Sequence, residues 1–231
     1  MIKDNIERIN KRISAVCARC NRRFDEITIL AASKGRPVAE VKQVIASHIA
    51  DIGENRVQEA LYKYYELPIT NCQLPNIKLH MVGHLQTNKA KDAVKIFDLI
   101  HSVDSLRLAR EINTQASRVN KIQDILLEIK TSPEETKYGL KPEEAIEAVK
   151  DISELKNINI RGLMTIAPLL DNAEQARPYF RILRELKDKV NELRVTGCEL
   201  RVLSMGMSDD FEVAIEEGAT MVRLGRAIFE G

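Results

Sequence analysis

Lys34 is the residue of this sequence whose type and position most directly suggest covalent chemistry. It lies in the stretch Ile27–Pro37 (ITILAASKGRP), which begins as a β-branched, apolar run typical of a buried strand. A lysine at the end of a buried strand is costly unless its amine is used. Desolvation there would favour the neutral amine, which is the form that condenses with an aldehyde. The alternative is that Lys34 simply reaches solvent where the strand ends.

Two glycine-containing turns near the end of the chain suggest an anion site. One predicted strand runs into Ser204–Ser208 (SMGMS), which contains Gly206, and the next runs into Arg223–Ala227 (RLGRA), which contains Gly225. Glycine allows the backbone to approach a ligand closely, and the N–H groups at the helix starts that follow favour an anion. Phosphate sites in α/β barrels commonly occupy the loops after the last two strands. A phosphate-bearing ligand is therefore the first expectation.

Arg223 is the second charged residue that we expect inside the fold. Side chains alternate along a strand, so Met221, Arg223 and Gly225 share one face. If that face points inward, the guanidinium must pair with a carboxylate of a neighbouring strand or with a ligand. The predicted strand ends supply few inward acids, which favours the ligand. Asn55 and Met164 also lie at or near predicted strand ends and are further candidates for the same site.

These residues must be positioned by a regular alternation of strands and helices. The predicted strands are Ile27–Lys34, Ile49–Asn55, Ile77–Gly83, Leu99–Val103, Ile125–Lys130, Ile160–Ile166, Leu200–Met205 and Met221–Leu224. The predicted helices are Lys3–Arg22, Val38–Ser47, Val57–Tyr65, Asn88–Phe97, Ser105–Val119, Pro142–Glu154, Asn172–Leu193 and Asp209–Glu217. Eight strand–helix units in 231 residues favour one α/β domain over residues 1–231, a closed (β/α)8 (TIM) barrel with an extra N-terminal helix. An open dinucleotide-binding sheet is disfavoured because no G-x-G-x-x-G follows the first strand.

Two other motifs could carry chemistry but have simpler explanations. Cys17 and Cys20 form a C-x-x-C, yet both fall on the apolar face of the N-terminal helix, which favours a packing role over redox or zinc chemistry. His80 and His84 have the spacing of metal ligands on a helix, but they flank a predicted strand end that contains Gly83. We therefore expect no metal site.

Composition limits the class of partner. The formal net charge is +1, Trp is absent and aromatic residues make up 4%, so neither a nucleic-acid partner nor an anionic membrane surface is indicated. The sequence has no apolar run long enough to span a membrane, and its N-terminus is an amphipathic stretch rather than a signal peptide. We expect a cytoplasmic protein.

Seven segments in order along the chain resemble one family, the pyridoxal phosphate homeostasis proteins (YggS/PROSC type), which are relatives of the alanine racemase barrel. The segments are SKGRP (33–37), IGENRVQE (52–59), HMVGHLQTNKAK (80–91), LIHSVDS (99–105), KYGL (137–140), RGLMTIAP (161–168) and LSMGMSDDFEVAIEEGATMVRLGRAIF (203–229). Almost every predicted strand is followed by one of them. The resemblance covers nearly the whole chain.

The resemblance implies a fold type III barrel without the C-terminal β domain of the racemases, as a monomer or weak dimer. It implies pyridoxal 5′-phosphate held as a Schiff base on Lys34, with Arg223 facing the pyridine nitrogen and Asn55 near the ring. The residues around Ser204, together with Gly225 and Arg226, would hold the phosphate, although Arg226 stands where a small hydroxyl residue is frequent. The implied cofactor-binding set is Lys34, Asn55, Met164, Ser204, Gly206, Arg223, Gly225 and Arg226.

The resemblance also implies a carrier that buffers or delivers the cofactor, with PLP-dependent apoenzymes as possible recipients, rather than an enzyme. A physical argument agrees, because an arginine cannot give up a proton to the pyridine nitrogen, and the ring then remains a poor electron sink. One alternative is an amino-acid racemase or lyase of the same barrel type, which needs a second acid–base group; Tyr138 is the nearby candidate. Another is an aldolase that uses Lys34 directly on a sugar phosphate.

Overall fold

The computed structural model of the protein describes residues 1–66, 77–134, 138–194 and 199–231. Lys137 of the KYGL segment lies outside these ranges. No helix within them is both long and apolar enough to cross a membrane.

Eight parallel strands form a closed barrel in which each strand pairs with the next and the last pairs with the first. The strands are β1 Thr28–Ala32, β2 Asp51–Glu54, β3 Lys78–Met81, β4 Leu99–Val103, β5 Gln123–Glu128, β6 Ile158–Met164, β7 Val202–Ser204 and β8 Met221–Leu224. The helices are α1 Ile2–Arg19, α2 Val38–Ala46, α3 Val57–Glu66, α4 Ala90–Ile96, α5 Leu106–Arg118, α6 Ala145–Ser153, α7 Arg177–Glu192, α8 Phe211–Glu216 and α9 Arg226–Phe229. The predicted (β/α)8 barrel is confirmed.

Helix α1 is the extra N-terminal element, and it packs against α2, α8 and α9 on the outside of the barrel. Its isoleucines recur at helical spacing, which places a continuous apolar stripe on the buried face. Cys17 is buried on the same face, so its packing role is confirmed, and burial raises the pKa of its thiol. Beyond the helix, the Arg22 guanidinium donates to the carbonyls of Ile215 (2.9 Å) and Ala219 (2.8 Å) and so fixes this end against α8.

The barrel interior combines a small apolar cluster with a set of polar side chains. The apolar cluster takes residues from six strands or their ends: Leu30, Val82, Leu99, Leu126, Met164 and Met221. Alternation along each strand places polar side chains on the same inner face: His80, His101, Glu128, Ser204 and Arg223, all buried. Residues on the opposite face of each strand pack under the helices in a larger cluster. The interior is therefore filled, and its polar groups must satisfy one another.

The main difference from the predicted elements lies at the end of β1. The strand was expected to reach Lys34, but it ends at Ala32, and Lys34 lies exposed in a turn. The Ser33 amide donates to the Gly53 carbonyl at 2.9 Å, and the Arg36 amide then donates to the Ser33 carbonyl at 3.0 Å. This turn lifts Lys34 out of the sheet. Lys34 is therefore exposed rather than desolvated, and the use of its amine to bind an aldehyde stays a prediction.

Several helical boundaries also differ, and one short helix was not predicted. The helix predicted over residues 172–193 begins as a 3-10 turn, Ala173–Ala176, because the Asn172 side chain accepts from the Glu174 amide at 2.9 Å; α7 then starts at Arg177. The short helix α9 was not predicted. It follows Gly225 directly and is too short to show an apolar period.

The docking of α1 can be tested at Ile13, which is fully buried. We expect Ile13→Ala to lower the free energy of unfolding by about 2–5 kcal/mol because it removes apolar contacts and leaves a cavity. Ile122→Ala, at an exposed isoleucine, is the matched control and should change it by less than about 0.5 kcal/mol. Urea unfolding followed by circular dichroism measures both. Equal losses in the two variants would contradict a tightly packed α1.

Candidate functional site

The carboxyl ends of β1, β7 and β8 bring the predicted site residues to one mouth of the barrel. Leu30 of β1 pairs with Arg223 of β8, so the Lys34 turn follows the strand that lies beside the arginine. A Cβ built on Gly225 would lie 3.4 Å from the Ala32 carbonyl oxygen, which shows how closely the β8 turn approaches the end of β1. The amine and the guanidinium therefore belong to neighbouring strands, one at the rim and one below it.

Arg223 points into the barrel, as its position in the strand pattern predicted. Its Nη1 donates to the carbonyl (2.7 Å) and the hydroxyl (2.8 Å) of Ser204, and its Nη2 donates to the Thr165 carbonyl (2.8 Å). Burial lowers the pKa of Arg223 to about 10, an effect opposed by the carboxylates of Glu128 and Asp210. The side chain is therefore a cation at neutral pH, held from β6 and β7.

Ser204 is placed to orient Arg223. Its hydroxyl is fully buried and also contacts Nδ1 of His101 at 3.0 Å. The family resemblance implied a phosphate contact for this side chain, but the hydroxyl is directed into the barrel and both of its partners are protein groups. Among the residues around Ser204, the backbone of the turn that follows is what reaches the mouth.

The two glycine turns come together as predicted. Gly206 has φ +91°, and a Cβ there would lie 2.5 Å from the Cβ of Ala214, so the turn requires glycine. The Ala227 amide donates to the Ser208 hydroxyl at 3.1 Å, which links the turn after β7 to the turn after β8. The Arg226 side chain is exposed and paired with Asp209 at the rim.

Asn55 and Met164 occupy different depths of the site. Asn55 is half-buried and lines a cavity of about 440 Å³ with Gly83, His84 and Lys89 among its walls. A Cβ on Gly83 would lie 2.4 Å from the Asn55 carbonyl oxygen, so glycine permits this close approach. Met164 is fully buried in the inner apolar cluster and forms part of the floor below the mouth.

The turn that carries Lys34 rests on a buried ionic cluster that the sequence pattern did not reveal. The Lys63 amine, on α3, donates to the Ser33 carbonyl (2.6 Å) and to the carboxylates of Glu54 (2.7 Å) and Glu59 (2.8 Å). The Gly35 amide donates to Glu59 at 2.6 Å, and the Ser33 hydroxyl donates to Glu54. Both neighbours of Lys34 are thereby fixed. Glu54 belongs to this support.

His80 and His84 do not share a ligand position. His80 lies inside the barrel and contacts His101 and Asp51, whereas the His84 ring stacks on Tyr138 with centroids 3.7 Å apart. Across the described ranges, no group of three or more His, Cys, Asp or Glu side chains is arranged to hold a metal ion.

Comparison with known proteins identifies the family of this chain. The family model described as the alanine racemase N-terminal domain matches residues 2–231. The pyridoxal phosphate homeostasis protein of Aquifex aeolicus (strain VF5) is 43% identical over 226 residues, which cover 98% of this chain and 96% of that protein. This chain belongs to the pyridoxal phosphate homeostasis protein family.

Solved structures extend the comparison for this homeostasis family. PipY of Synechococcus elongatus PCC7942, solved with PLP bound, is 34% identical, with a TM-score of 0.82 covering 96% of this chain and 99% of PipY. An alanine racemase of Clostridium difficile 630 has a TM-score of 0.75 at 19% identity, over 98% of this chain and 56% of that enzyme. The racemase likeness shows a shared barrel fold.

Two buried residues of this family member were missed from sequence. Glu128 on β5 faces inward near Arg223, and burial, with Asp104 nearby, raises the pKa of its carboxyl to about 7 against the opposing effect of Arg223. His101 on β4 contacts Ser204, and burial lowers the pKa of its imidazole well below the usual range. Each is the lone polar residue on the inner face of an apolar run, ILLEI or LIHSV, and that signal could have identified them.

The ionic cluster under the Lys34 turn predicts that replacing Lys63 strongly destabilises the protein. Lys63→Met leaves Glu54 buried without its cation, so we expect the free energy of unfolding to fall by about 3–5 kcal/mol. Adding Glu54→Gln to that variant removes the unpaired charge and should recover part of the loss. Lys42→Met, at an exposed lysine, is the control. Chemical denaturation measures all four proteins, and a double variant no more stable than Lys63→Met would refute the pairing.

Glu128 predicts a specific pH dependence of stability. Its carboxyl is protonated in the folded protein up to about pH 7, whereas in the unfolded chain it ionises near its ordinary pKa of about 4.3. Between those values the folded state binds the extra proton, so this group makes stability fall as pH rises, and the loss is complete above about pH 7.

Glu128→Gln removes this ionisation. The variant should exceed the wild type in unfolding free energy by on the order of 2 kcal/mol at about pH 8, with a smaller difference at about pH 5. Glu147→Gln, at an exposed glutamate, serves as the control. Urea unfolding of the protein without added cofactor measures the difference at each pH. A gain of the same size at both pH values would show that Glu128 is not the titrating group.

Proposed function

We propose that this chain binds pyridoxal 5′-phosphate reversibly and buffers it or delivers it to PLP-dependent apoenzymes. The observation that carries the proposal is that two residues with complementary chemistry lie at neighbouring strands of one barrel mouth. Lys34 offers an exposed amine, and Arg223 offers a buried cation. The relative PipY, solved with PLP bound, supports the same ligand.

The side chains present fit this ligand. A lysine amine bonds the aldehyde of pyridoxal phosphate, and Lys34 offers one that is open to solvent. Arg223 has three hydrogen bonds to protein oxygens among the described residues, and an arginine has five N–H groups, so it retains donors for a ring nitrogen. The linked turns at Gly206 and Gly225 offer backbone at the mouth for the phosphate.

The same residues favour holding the ligand over transforming it. When bound, pyridoxal phosphate supplies an aldehyde and an electron-withdrawing ring. Arg223 is a cation that donates hydrogen bonds and is already protonated, so it leaves the ring nitrogen without a proton and weakens electron withdrawal. Lys34 is exposed, which gives incoming amines access to the position where the ligand is held. A weakly activated, accessible cofactor suits a cytoplasmic reservoir, working as a monomer or weak dimer.

A second function, an amino-acid racemase or lyase activity, is favoured by one observation. Glu128 lies inside the barrel near Arg223 with a pKa of about 7, which is suitable for an acid–base group. Tyr138, the candidate named from sequence, is 56% exposed and stacks on His84. The two functions differ in whether added amino acids are converted.

The proposal predicts that purified protein mixed with pyridoxal phosphate shows a visible absorbance band that Lys34→Ala abolishes. Borohydride reduction should attach a pyridoxyl group at Lys34, located by peptide mass spectrometry. Lys42→Ala, another exposed lysine, should keep both signals. An adduct of unchanged stoichiometry in Lys34→Ala would refute the assignment of Lys34.

Adding single amino acids then separates the two functions. Holding and release predict a spectral change without conversion, followed by transfer of the cofactor to an apoenzyme that regains activity. Chiral chromatography that detects an inverted or cleaved amino acid, at a rate lost in Glu128→Gln, would favour the enzyme instead.

A further inference from the structure

A chain of side-chain contacts crosses the barrel interior and ends at Arg223. Asp51 Oδ1 lies 2.9 Å from Nε2 of His80, and Nδ1 of His80 lies 3.0 Å from Nε2 of His101. Nδ1 of His101 lies 3.0 Å from the Ser204 hydroxyl, which accepts from Arg223 at 2.8 Å. The five residues come from β2, β3, β4, β7 and β8. Four consecutive contacts therefore connect one side of the barrel to the other.

The chain begins at the opposite end of the barrel from the cofactor site. Asp51 is the first residue of β2 and is partly exposed, whereas His101 and Ser204 are fully buried. Asp51 opens onto a cavity of about 520 Å³ at the amino ends of the strands, which we call the lower cavity. Charged residues line it: Asp51, Lys78, Asp98, Lys121, Asp124 and Arg161. The chain thus links the lower cavity to Arg223.

The chemistry of its two ends gives this chain one direction. An arginine only donates, and an ionised aspartate only accepts. Asp51 therefore accepts from Nε2–H of His80, which leaves Nδ1 of a neutral His80 as an acceptor for His101. Nε2–H of His101 donates there, so Nδ1 of a neutral His101 accepts the Ser204 hydroxyl proton. The Ser204 oxygen then presents its lone pairs to Arg223.

Reversing the chain would leave a buried group unsatisfied. If Nδ1 of His101 carried the proton, the Ser204 hydroxyl would face two donors and its own proton would lose this acceptor. Burial, with His80 and Arg223 nearby, lowers the pKa of His101, which agrees with a neutral ring. Apolar residues at 80 and 101 would fill the same space without any need for partners, so packing alone does not account for the histidines.

We propose that Asp51, His80 and His101 are positioning residues that set the direction of the Ser204 hydroxyl and, through it, the orientation of Arg223 toward the bound cofactor. This inference rests on the proposed function, since it assigns Arg223 to the cofactor ring. None of the three residues touches the ligand. Their effect on it passes through Ser204.

The first test compares two variants at residue 101. The Oδ1 atom of asparagine is bonded to Cγ, as Nδ1 is in histidine. His101→Asn can therefore still accept from Ser204, but its side chain is too short to reach His80. The glutamine amide lies one bond further out, so His101→Gln can contact His80 but not Ser204. We expect His101→Gln to raise the PLP dissociation constant about tenfold and to move the visible absorbance maximum, and His101→Asn to raise it about threefold.

The second test breaks the chain at its far end. Asp51→Leu, which has no acceptor for His80, should raise the PLP dissociation constant about threefold in the wild-type background but leave it unchanged when His101→Asn has already cut the link to His80. Asp124→Leu removes a carboxylate from the same lower cavity without touching the chain, and it should behave as wild type.

The outcomes are separable. No absorbance band in the wild type would refute the proposed function itself. With a wild-type band, the inference fails if Asp51→Leu and Asp124→Leu act alike, or if Asp51→Leu keeps its effect in the His101→Asn background. If the His101 variants do not fold, the comparison of Asp51→Leu with Asp124→Leu decides. A purely structural role predicts lower thermal midpoints with an unmoved absorbance maximum and an unchanged dissociation constant.

Discussion

The Arg223 guanidinium carries a positive charge inside the barrel, and its hydrogen bonds join strands that are far apart in sequence. Leaving a buried cation without partners costs several kcal/mol, so the groups around it are constrained together. The Thr165 and Ser204 carbonyls and the Ser204 hydroxyl supply those bonds, from the ends of β6 and β7. These partners meet because β6, β7 and β8 are consecutive strands of the sheet. Closure of the barrel, by pairing β8 with β1, then places this charge beside the strand that leads to Lys34.

A second cationic residue, Lys34, lies at the rim of the same mouth. Its surroundings differ from those of Arg223, because Lys34 is exposed whereas Arg223 is buried. Lys34 is left in solvent on a turn whose neighbours, Ser33 and Gly35, are anchored by Lys63 and its carboxylates. Lys63, which is buried, therefore supports the turn, and Lys34, which is exposed, presents its amine to solvent. An anchored backbone with a free side chain suits reversible bonding, because the amine returns to the same place after each release.

How far sequence could predict this site depends on whether local pattern or distant contact decides each feature. The mainly apolar stretches of β4 and β8 predicted the bounds of these strands correctly, and alternation placed Arg223 inward. The predicted end of β1 was wrong because the Arg36 amide closes a turn onto the Ser33 carbonyl, which Lys63, 30 residues away, also binds. The direction of the Ser204 hydroxyl could not be predicted, because its partner His101 is 103 residues away in the chain. Periodicity identifies the face of a strand but not the residue opposite.

The barrel is shared with alanine racemases, so the fold alone does not separate holding from turnover. The difference between holding the cofactor and using it in catalysis must lie in which nearby groups can donate or accept a proton. Arg223 is already protonated, so it donates hydrogen bonds and cannot accept a proton, and its partner Ser204 is part of the chain of contacts that begins at Asp51. Glu128 lies in this interior with a carboxyl pKa of about 7, so it is about half protonated at neutral pH. An enzyme would need that proton aligned with the Lys34 amine, whereas Glu128 lies on β5, across the barrel from β1, and faces Arg223. In that position the charge of Glu128 raises the pKa of the Arg223 guanidinium, against the effect of burial, more than the charge of Asp210 does.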